Sequence, residues 1–409
     1  MPRVLAIGAA AILVRVLFVF WLHPPNHYVH SDMLMFVWTA LQEFQGSDHP
    51  FISLQHGLLT HTLRGSFALF GPGNTQVYWT QVLWSSGSVF LTYLLARRLL
   101  SPGYALAACI YQAGNVLDIG LAGYWLSEAG FTCFLLATLW ALARWRESPR
   151  HRPLWASLAG ALLAVQILAR ENALLTVPFL VAWMLLSRSG PGPVRLRDVA
   201  LLLGVCALVL LPQALRNREL IGAALPATSR GPRYLAYSAL MTRALVTHDS
   251  FGVGAIVDPL FERRYPVEPV VFSEREEFRA EPYDGAFWWG VAWEALKRRP
   301  ETLLWHLQNF FFIWALPPWP AGWEGGWLGW LSAAWNLAFA LVVAPLYLLQ
   351  LRPRFWRDPL ATLLNLVVIS LWLYVYVGFG QARFRAPYDP LLLILALRSL
   401  AGPGVSSPR

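Results

Sequence analysis

The chain has 409 residues, of which 56% are apolar and only 13% charged, and its mean hydropathy is +0.46. Soluble domains carry roughly 25% charged residues, so this composition excludes a single water-facing globule and makes the bilayer the solvent. Its formal net charge of +9, from 32 basic and 23 acidic residues, fits cytoplasmic loops against an anionic inner leaflet and gives no argument for nucleic acid.

A spanning helix needs about 20 mostly apolar residues. The segments that qualify are 4–22, 77–99, 103–119, 124–146, 154–170, 171–187, 197–214, 328–350, 359–378 and 384–401. The first has no small-residue cleavage site before the polar "HPPNH" and reads as a retained span. The fifth and sixth meet at "ARENA" and suggest a tight hairpin. The segment 301–316, "ETLLWHLQNFFFIWAL", is short and carries His306, Gln308 and Asn309, so it reads as re-entrant or interfacial. The expectation is an all-α polytopic membrane protein with ten spans, or eleven if 301–316 crosses. Cys109, Cys133 and Cys206 all fall inside apolar segments, with neither metal nor disulfide spacing.

Nearly all the basic residues are arginine, Lys297 being the one lysine. Short Arg-rich loops at 97–98, 144–152, 188–197 and 351–357 belong in the cytoplasm by the positive-inside rule. That leaves 23–76 and 215–327 facing outward. In the first of these, Leu34, Val37, Trp38, Leu41 and Phe44 recur at helical spacing behind Ser31 as N-cap. Leu58, Thr62, Leu63 and Phe67 suggest a second helix; both read as interfacial. The later loop has turn residues at "RGPR" (230–233) and "EPYDG" (281–285). The whole of 1–409 reads as one transmembrane domain without internal repeats.

Several motifs follow in a fixed order. An outward loop begins with Asp32. Then come "YLLARRLLSPGYALAACIYQAG" (93–114), "GYWLSEAG" (123–130), "LARENALLTVP" (168–178), "LPQALRNRELIG" (211–222) and "QARFRAPYDPLLLILA" (381–396). Together they resemble the GT-C class of membrane glycosyltransferases, in the bacterial branch similar to protein O-mannosyltransferases and lipid A aminoarabinose transferase. The resemblance covers almost the whole chain. Many members have two adjacent acids where this chain has Asp32 alone, between Ser31 and Met33.

The resemblance implies an inverting transfer of a sugar from a polyprenyl-phosphate donor to an acceptor glycan, lipid or protein. The reaction would run at the outer face of a bacterial inner membrane, without a cofactor or a catalytic metal. A general base must take the acceptor proton, and the leaving phosphate must have its charge stabilised. Asp32 fits the base, at the first turn of an interfacial helix where the dipole favours the ionised form; a plain first-turn aspartate is the competing reading. Glu128 is an ionisable residue at the outward end of a span, a functional hypothesis by default, and matches a second acid of the class. Asp118, at the outward end of the third span, is another candidate acid.

Arg383 and Arg385, alternating through Phe384, are placed to bind the donor phosphate, with headgroup snorkelling as the alternative. Arg170 reads as an ion pair with Glu171 or as a donor contact, and Arg216, beside Asn217, as a further donor contact. His56 is a candidate for the acceptor or phosphate. His23, His27, His30, His49 and His61 share that loop and read as solvated interfacial residues. Tryptophans such as Trp21, Trp125, Trp319, Trp323 and Trp327 read as an aromatic belt. The competing functions are a flippase or transporter, which calls for paired halves and discontinuous helices, and a polymerase or ligase of lipid-linked glycans.

Overall fold

The computed structural model describes residues 2–25, 32–47, 52, 56–71, 75–187, 192–228, 289–290, 292–293, 296–297, 300, 302–315, 327–378 and 382–402. All regular structure among them is helical, as the composition requires. In chain order the helices are α1 (Pro2–Leu17, continued as a π-helical turn Phe18–Leu22), α2 (Asp32–Phe44), α3 (Gly57–Phe70), α4 (Thr75–Leu99), α5 (Pro102–Ala113) and α6 (Val116–Ala122). They continue with α7 (Glu128–Glu147), α8 (Arg152–Ala169), a 3₁₀ turn Glu171–Thr176, α9 (Val177–Leu186) and α10 (Gly192–Ile221). The C-terminal part holds α11 (Thr302–Trp305), α12 (Gln308–Ala315), α13 (Trp327–Leu348), α14 (Pro359–Val377), α15 (Ala382–Arg385) and α16 (Asp389–Ala401). Ser31, His27, His30, His49, Trp319, Trp323, "RGPR" and "EPYDG" lie outside the described residues.

Every one of the ten apolar segments forms helix, but not ten uniform spans. Among the described residues five helices are long and apolar enough to cross a membrane, or six if the bent pair α5–α6 counts as one. The remainder fall short for two reasons. α4 and α7 are long, but α4 carries Gln81, Ser85, Ser86, Ser88 and Thr92, all buried, and α7 carries Glu128. Such helices face protein, so they need not be apolar all round. α9 and α16 are 10 and 13 residues long.

The chain divides into two compact units: residues 1–228, 338–370 and 386–409 in the first, 229–337 and 371–385 in the second. In the first unit α7 packs along α8, α8 along α10, and α4 along both α7 and α5. α1 shows the membrane logic plainly. Val4, Gly8, Ala11, Arg15, Phe18 and Val19 form its buried stripe, while Leu5, Ile12, Leu13, Val14 and Leu17 stand exposed on the other side. α8 buries Ala156, Ala159, Gly160, Leu163, Ala164 and Ile167 at helical spacing. A Cβ at Gly160 would collide with the Leu202 carbonyl of α10, the close backbone approach that small residues permit between membrane helices.

The expected single span 103–119 is broken. Asn115 accepts a bond from the Leu117 amide at 3.1 Å and so starts a new helix; α5 and α6 meet at 43°. The break frees carbonyls at the end of α5, and Arg15 takes them: its Nη1 donates to Ala113 (3.0 Å) and its Nη2 to Gln112 (3.2 Å). The same guanidinium donates to Asp118 in the first turn of α6 at 2.7 Å, and Ser85 donates to that carboxylate at 2.7 Å. Asp118 is therefore a buried structural partner of Arg15 and not a rim acid.

α10 runs further than expected, from 192 to 221, about 45 Å at 1.5 Å per residue. This exceeds the roughly 30 Å hydrocarbon core and puts Gln213, Arg216 and Asn217 on a helix end instead of in a loop. Gly222 closes the helix at φ 72°, its N–H donating to the Arg218 carbonyl.

In the second unit α11 and α12 explain the polar residues of 301–316. His306 Nδ1 donates to the Tyr376 carbonyl, and Asn309 Nδ2 donates to the Val375 and Gly378 carbonyls, each at 3.1 Å. These are the orphan acceptors at the end of α14.

Candidate active site

The two helices expected in the first outward loop are present. α2 begins at Asp32; the side chain of Asp32 lies outside the described residues. The stripe that α2 buries is Met33, Phe36, Ala40 and Glu43, whereas Leu34 and Phe44 are exposed. Of the expected apolar face, Leu34 and Phe44 are thus the outer members, while Val37, Trp38 and Leu41 are half-buried. α3 buries Leu59, Leu63 and Phe67, in line with the Leu63–Phe67 part of the pattern.

Glu43 lies eleven residues along α2 from Asp32, about 16 Å, and the sequence reading passed over it. Its side chain is nearly inaccessible. Arg216 Nη1 donates to Oε1, while His61 Nδ1 (3.6 Å) and Arg64 Nη1 (3.9 Å) face Oε2. Burial alone would push the Glu43 carboxyl up. His61 and Arg216 outweigh it and hold the group below its ordinary value.

From Glu43 a chain of hydrogen bonds runs back to the corner after α8. His61 Nε2 meets Gln213 Oε1 at 2.7 Å, and Gln213 donates to Asn217 at 3.0 Å. Asn217 Nδ2 donates to the carbonyls of Leu225 (2.8 Å) and Ala227 (2.7 Å). The next residue, Thr228, donates to Glu171 Oε2 at 2.5 Å. His56 Nδ1 lies 3.3 Å from the same oxygen, its ring stacked 5.9 Å from Phe36 of α2.

On the other side of the corner Arg170 Nη1 donates to Glu128 Oε1 at 2.6 Å; Glu128 is fully buried and Arg170 nearly so. The expected Arg170–Glu171 pair does not form. The chain is extended at Arg170 (φ −158°, ψ 128°), and successive side chains on extended backbone point to opposite sides. Arg170 therefore reaches α7, while Glu171 reaches His56 and Thr228. Glu128 sits in the first turn of α7.

Arg383 and Arg385 belong to the second unit. They sit on the helical turn α15, so residues two apart diverge instead of sharing a face; the alternation expected through Phe384 needed extended backbone. Arg385 is fully buried. It donates to the Asn336 side chain (2.7 Å) and the Ile313 carbonyl (3.1 Å) and lies 4.9 Å over the Trp314 ring. Arg383 lies 5.8 Å over Phe384.

Two smaller corrections follow from packing. His23 is buried, stacked 5.4 Å from Phe18 with Nε2 at 3.2 Å from the Tyr124 hydroxyl, and is no solvated histidine. Trp125 is buried beside Tyr78 (6.3 Å), whereas Trp21 and Trp327 are exposed as a belt requires. Among the described residues no three His, Cys, Asp or Glu side chains are grouped to hold a metal ion.

Two comparisons bear on this arrangement. Residues 55–215 match the family model of dolichyl-phosphate-mannose-protein mannosyltransferase, a stretch that contains His56, Asp118, Glu128, Arg170 and Glu171. The fold is similar to the archaeal oligosaccharyltransferase AglB from Archaeoglobus fulgidus in complex with an inhibitory peptide and a dolichol-phosphate. That likeness has a TM-score of 0.56 at 13% identity, over 97% of this chain and 50% of that one. A second structure of the Archaeoglobus fulgidus oligosaccharyltransferase, tethered to an acceptor peptide containing the NVT sequon via a disulfide bond, gives a TM-score of 0.55 at 14% identity, over 97% and 49%. The chain spans about half the length of these solved structures. No curated protein matches it. The fold is that of the GT-C class, in a polytopic membrane protein.

Proposed function

We propose that the chain is a glycosyltransferase of the GT-C class that moves a sugar from a polyprenyl-phosphate donor to an acceptor hydroxyl at the outer face of the membrane. The observation that carries this reading is the polar corner at Arg170–Glu171. It lies inside the stretch that matches the mannosyltransferase family and ties α7, α8 and α10 to the two helices of the loop that begins at Asp32.

In this reading Asp32 accepts the proton of the acceptor hydroxyl. The hydroxyl oxygen attacks the anomeric carbon, the carbon–oxygen bond to phosphate breaks, and the configuration inverts. Glu128, bonded to Arg170, fixes the corner; Glu43 and Glu171 hold α2 and α3 over it. Following the resemblance, we assign the leaving phosphate to the arginines of "QARFRAP", Arg383 and Arg385, whose guanidinium groups stay charged at every relevant pH and can bind two phosphate oxygens at once. The Arg-rich short loops support an extracytoplasmic site, and the bacterial inner membrane is what the resemblance implies.

The test is transfer by the purified chain in detergent. It receives a radiolabelled polyprenyl-phosphate sugar with lipid, glycan and peptide acceptors, and labelled product and free polyprenyl phosphate are measured. A lipid-linked sugar transporter is the second reading, favoured by the broken α5–α6 span with Arg15 and Asp118 at the break. A transporter gives no product in detergent. Against it, the Arg15–Asp118 pair is closed off and hydrogen-bonded on several sides.

A further inference from the structure

The other end of α7 carries a second cluster of charge. It lies nineteen residues from Glu128, about 28 Å along the helix. The ends of α4 and α7 and the start of α8 bring six arginines, Arg97, Arg98, Arg144, Arg146, Arg150 and Arg152, to one rim with Glu147; Asp198 of α10 meets it too, accepting from Trp145 Nε1 at 2.9 Å and pairing with Arg197. Glu147 is engaged: Arg98 donates to both its oxygens (2.7 and 3.2 Å), and Arg144 Nη1 lies 3.6 Å away.

Tryptophans hold these guanidinium planes in place. Arg98 lies 5.9 Å over Trp140 and Arg144 5.3 Å over Trp155, and the two rings meet edge-on at 5.3 Å. Arg152 lies 5.8 Å over Trp145. Two buried donors on this rim, Arg152 Nε and Arg97 Nη1, have no hydrogen-bond partner among the described residues. A buried donor without a partner is destabilising, and an anionic oxygen relieves it. On α8, Leu154 (62% exposed) and Leu158 (37%), one turn apart, present apolar surface beside Trp155.

We propose that this rim binds an anionic glycerophospholipid. Its phosphate sits on Arg144 and Arg152, and its acyl chains lie along Leu154 and Leu158. The excess of arginine over acid at this rim selects a net negative headgroup over a zwitterionic one. The guanidinium fork suits a phosphodiester, which accepts two parallel N–H bonds. The tryptophans fix the forks beforehand through their ring faces, and Glu147 sets Arg98 and Arg144 side by side. The exposed leucines distinguish a lipid from a free phosphate, because only a lipid covers them.

The experiment is lipid titration by native mass spectrometry of the purified full chain in detergent. Phosphatidylglycerol, phosphatidylcholine and inorganic phosphate serve as separate probes. The parent is expected to retain phosphatidylglycerol in preference to phosphatidylcholine and to retain no inorganic phosphate. Each arginine near an anionic headgroup contributes about fivefold in affinity, so Arg144→Gln with Arg152→Gln is expected to weaken phosphatidylglycerol binding roughly 25-fold. Thermal unfolding in phosphatidylcholine checks the fold. If the double variant does not fold, Arg152→Gln alone is expected to lose about fivefold. Unchanged phosphatidylglycerol affinity in the folded variant, equal retention of phosphatidylcholine by the parent, or equal protection by inorganic phosphate would each overturn the proposal.

Discussion

Arg170 and Glu128 stand 42 positions apart in sequence and 2.6 Å apart in space, both buried. The pair joins the extended residue after α8 to the first turn of α7, and so sets where the Arg170–Glu171 corner lies. Removing one partner of a buried pair strands the other charge. Arg170→Ala should therefore destabilise the protein by on the order of 3–5 kcal/mol, read as a lower midpoint of thermal unfolding in detergent. Combining Glu128→Gln with Arg170→Gln removes both charges and should recover part of that loss. An Arg170→Ala variant as stable as the parent would show that the pair does not hold the corner.

Glu43 makes a pH-dependent contribution. Its carboxyl is held below the ordinary value, with burial outweighed by His61 and Arg216. A depressed carboxylate stabilises the fold fully above its unfolded-state value, about 4.3. That contribution disappears as the pH falls through the lower folded-state value. Glu43→Gln should be less stable than the parent above about pH 5, and the two should converge on acidification. Unfolding midpoints measured between pH 3 and 8 report this; parallel curves over the whole range would remove the linkage.

Arg383 and Arg385 should separate although they are two positions apart. Arg385 is fully buried against Asn336, Ile313 and Trp314, and Arg385→Ala loses hydrogen bonds from a charged group worth about 1.5–3 kcal/mol each. Its defect should appear in thermal unfolding. Arg383→Ala should weaken polyprenyl-phosphate binding about tenfold or more, consistent with one charged contact. Normal donor affinity in a folded Arg383→Ala protein would move the phosphate elsewhere.

The helices were legible in the sequence because the bilayer demands long apolar runs, and all ten runs are helical. The break between α5 and α6 was not, since it turns on one side chain, Asn115, capping two residues on. Arg15 carried a signal that the span reading passed over: an arginine inside an otherwise apolar segment needs a partner, and it found Asp118. Arg170 as the partner of Glu128 was not legible. Pairing across 42 positions depends on backbone direction at one residue, which apolar periodicity does not encode. The role of α2's two faces was obscured for a related reason. Both are apolar, so the pattern alone does not say which one meets protein. Glu43 went unnoticed because its significance comes from Arg216, His61 and Arg64, on two other helices.

The central claim is glycosyl transfer with Asp32 as base, and Asp32→Asn tests it most directly. Asparagine keeps the shape and still suits a helix N-terminus, but it cannot take the acceptor's proton. The measurement is turnover of a saturating polyprenyl-phosphate sugar by the purified variant, alongside donor affinity and thermal midpoint. The expected result is a loss of about 10²–10⁴-fold in turnover with donor affinity and midpoint at parental values. Near-parental turnover in a folded, donor-binding Asp32→Asn protein would contradict the assignment of the base, and no transfer by the parent with any acceptor would contradict the glycosyltransferase reading itself.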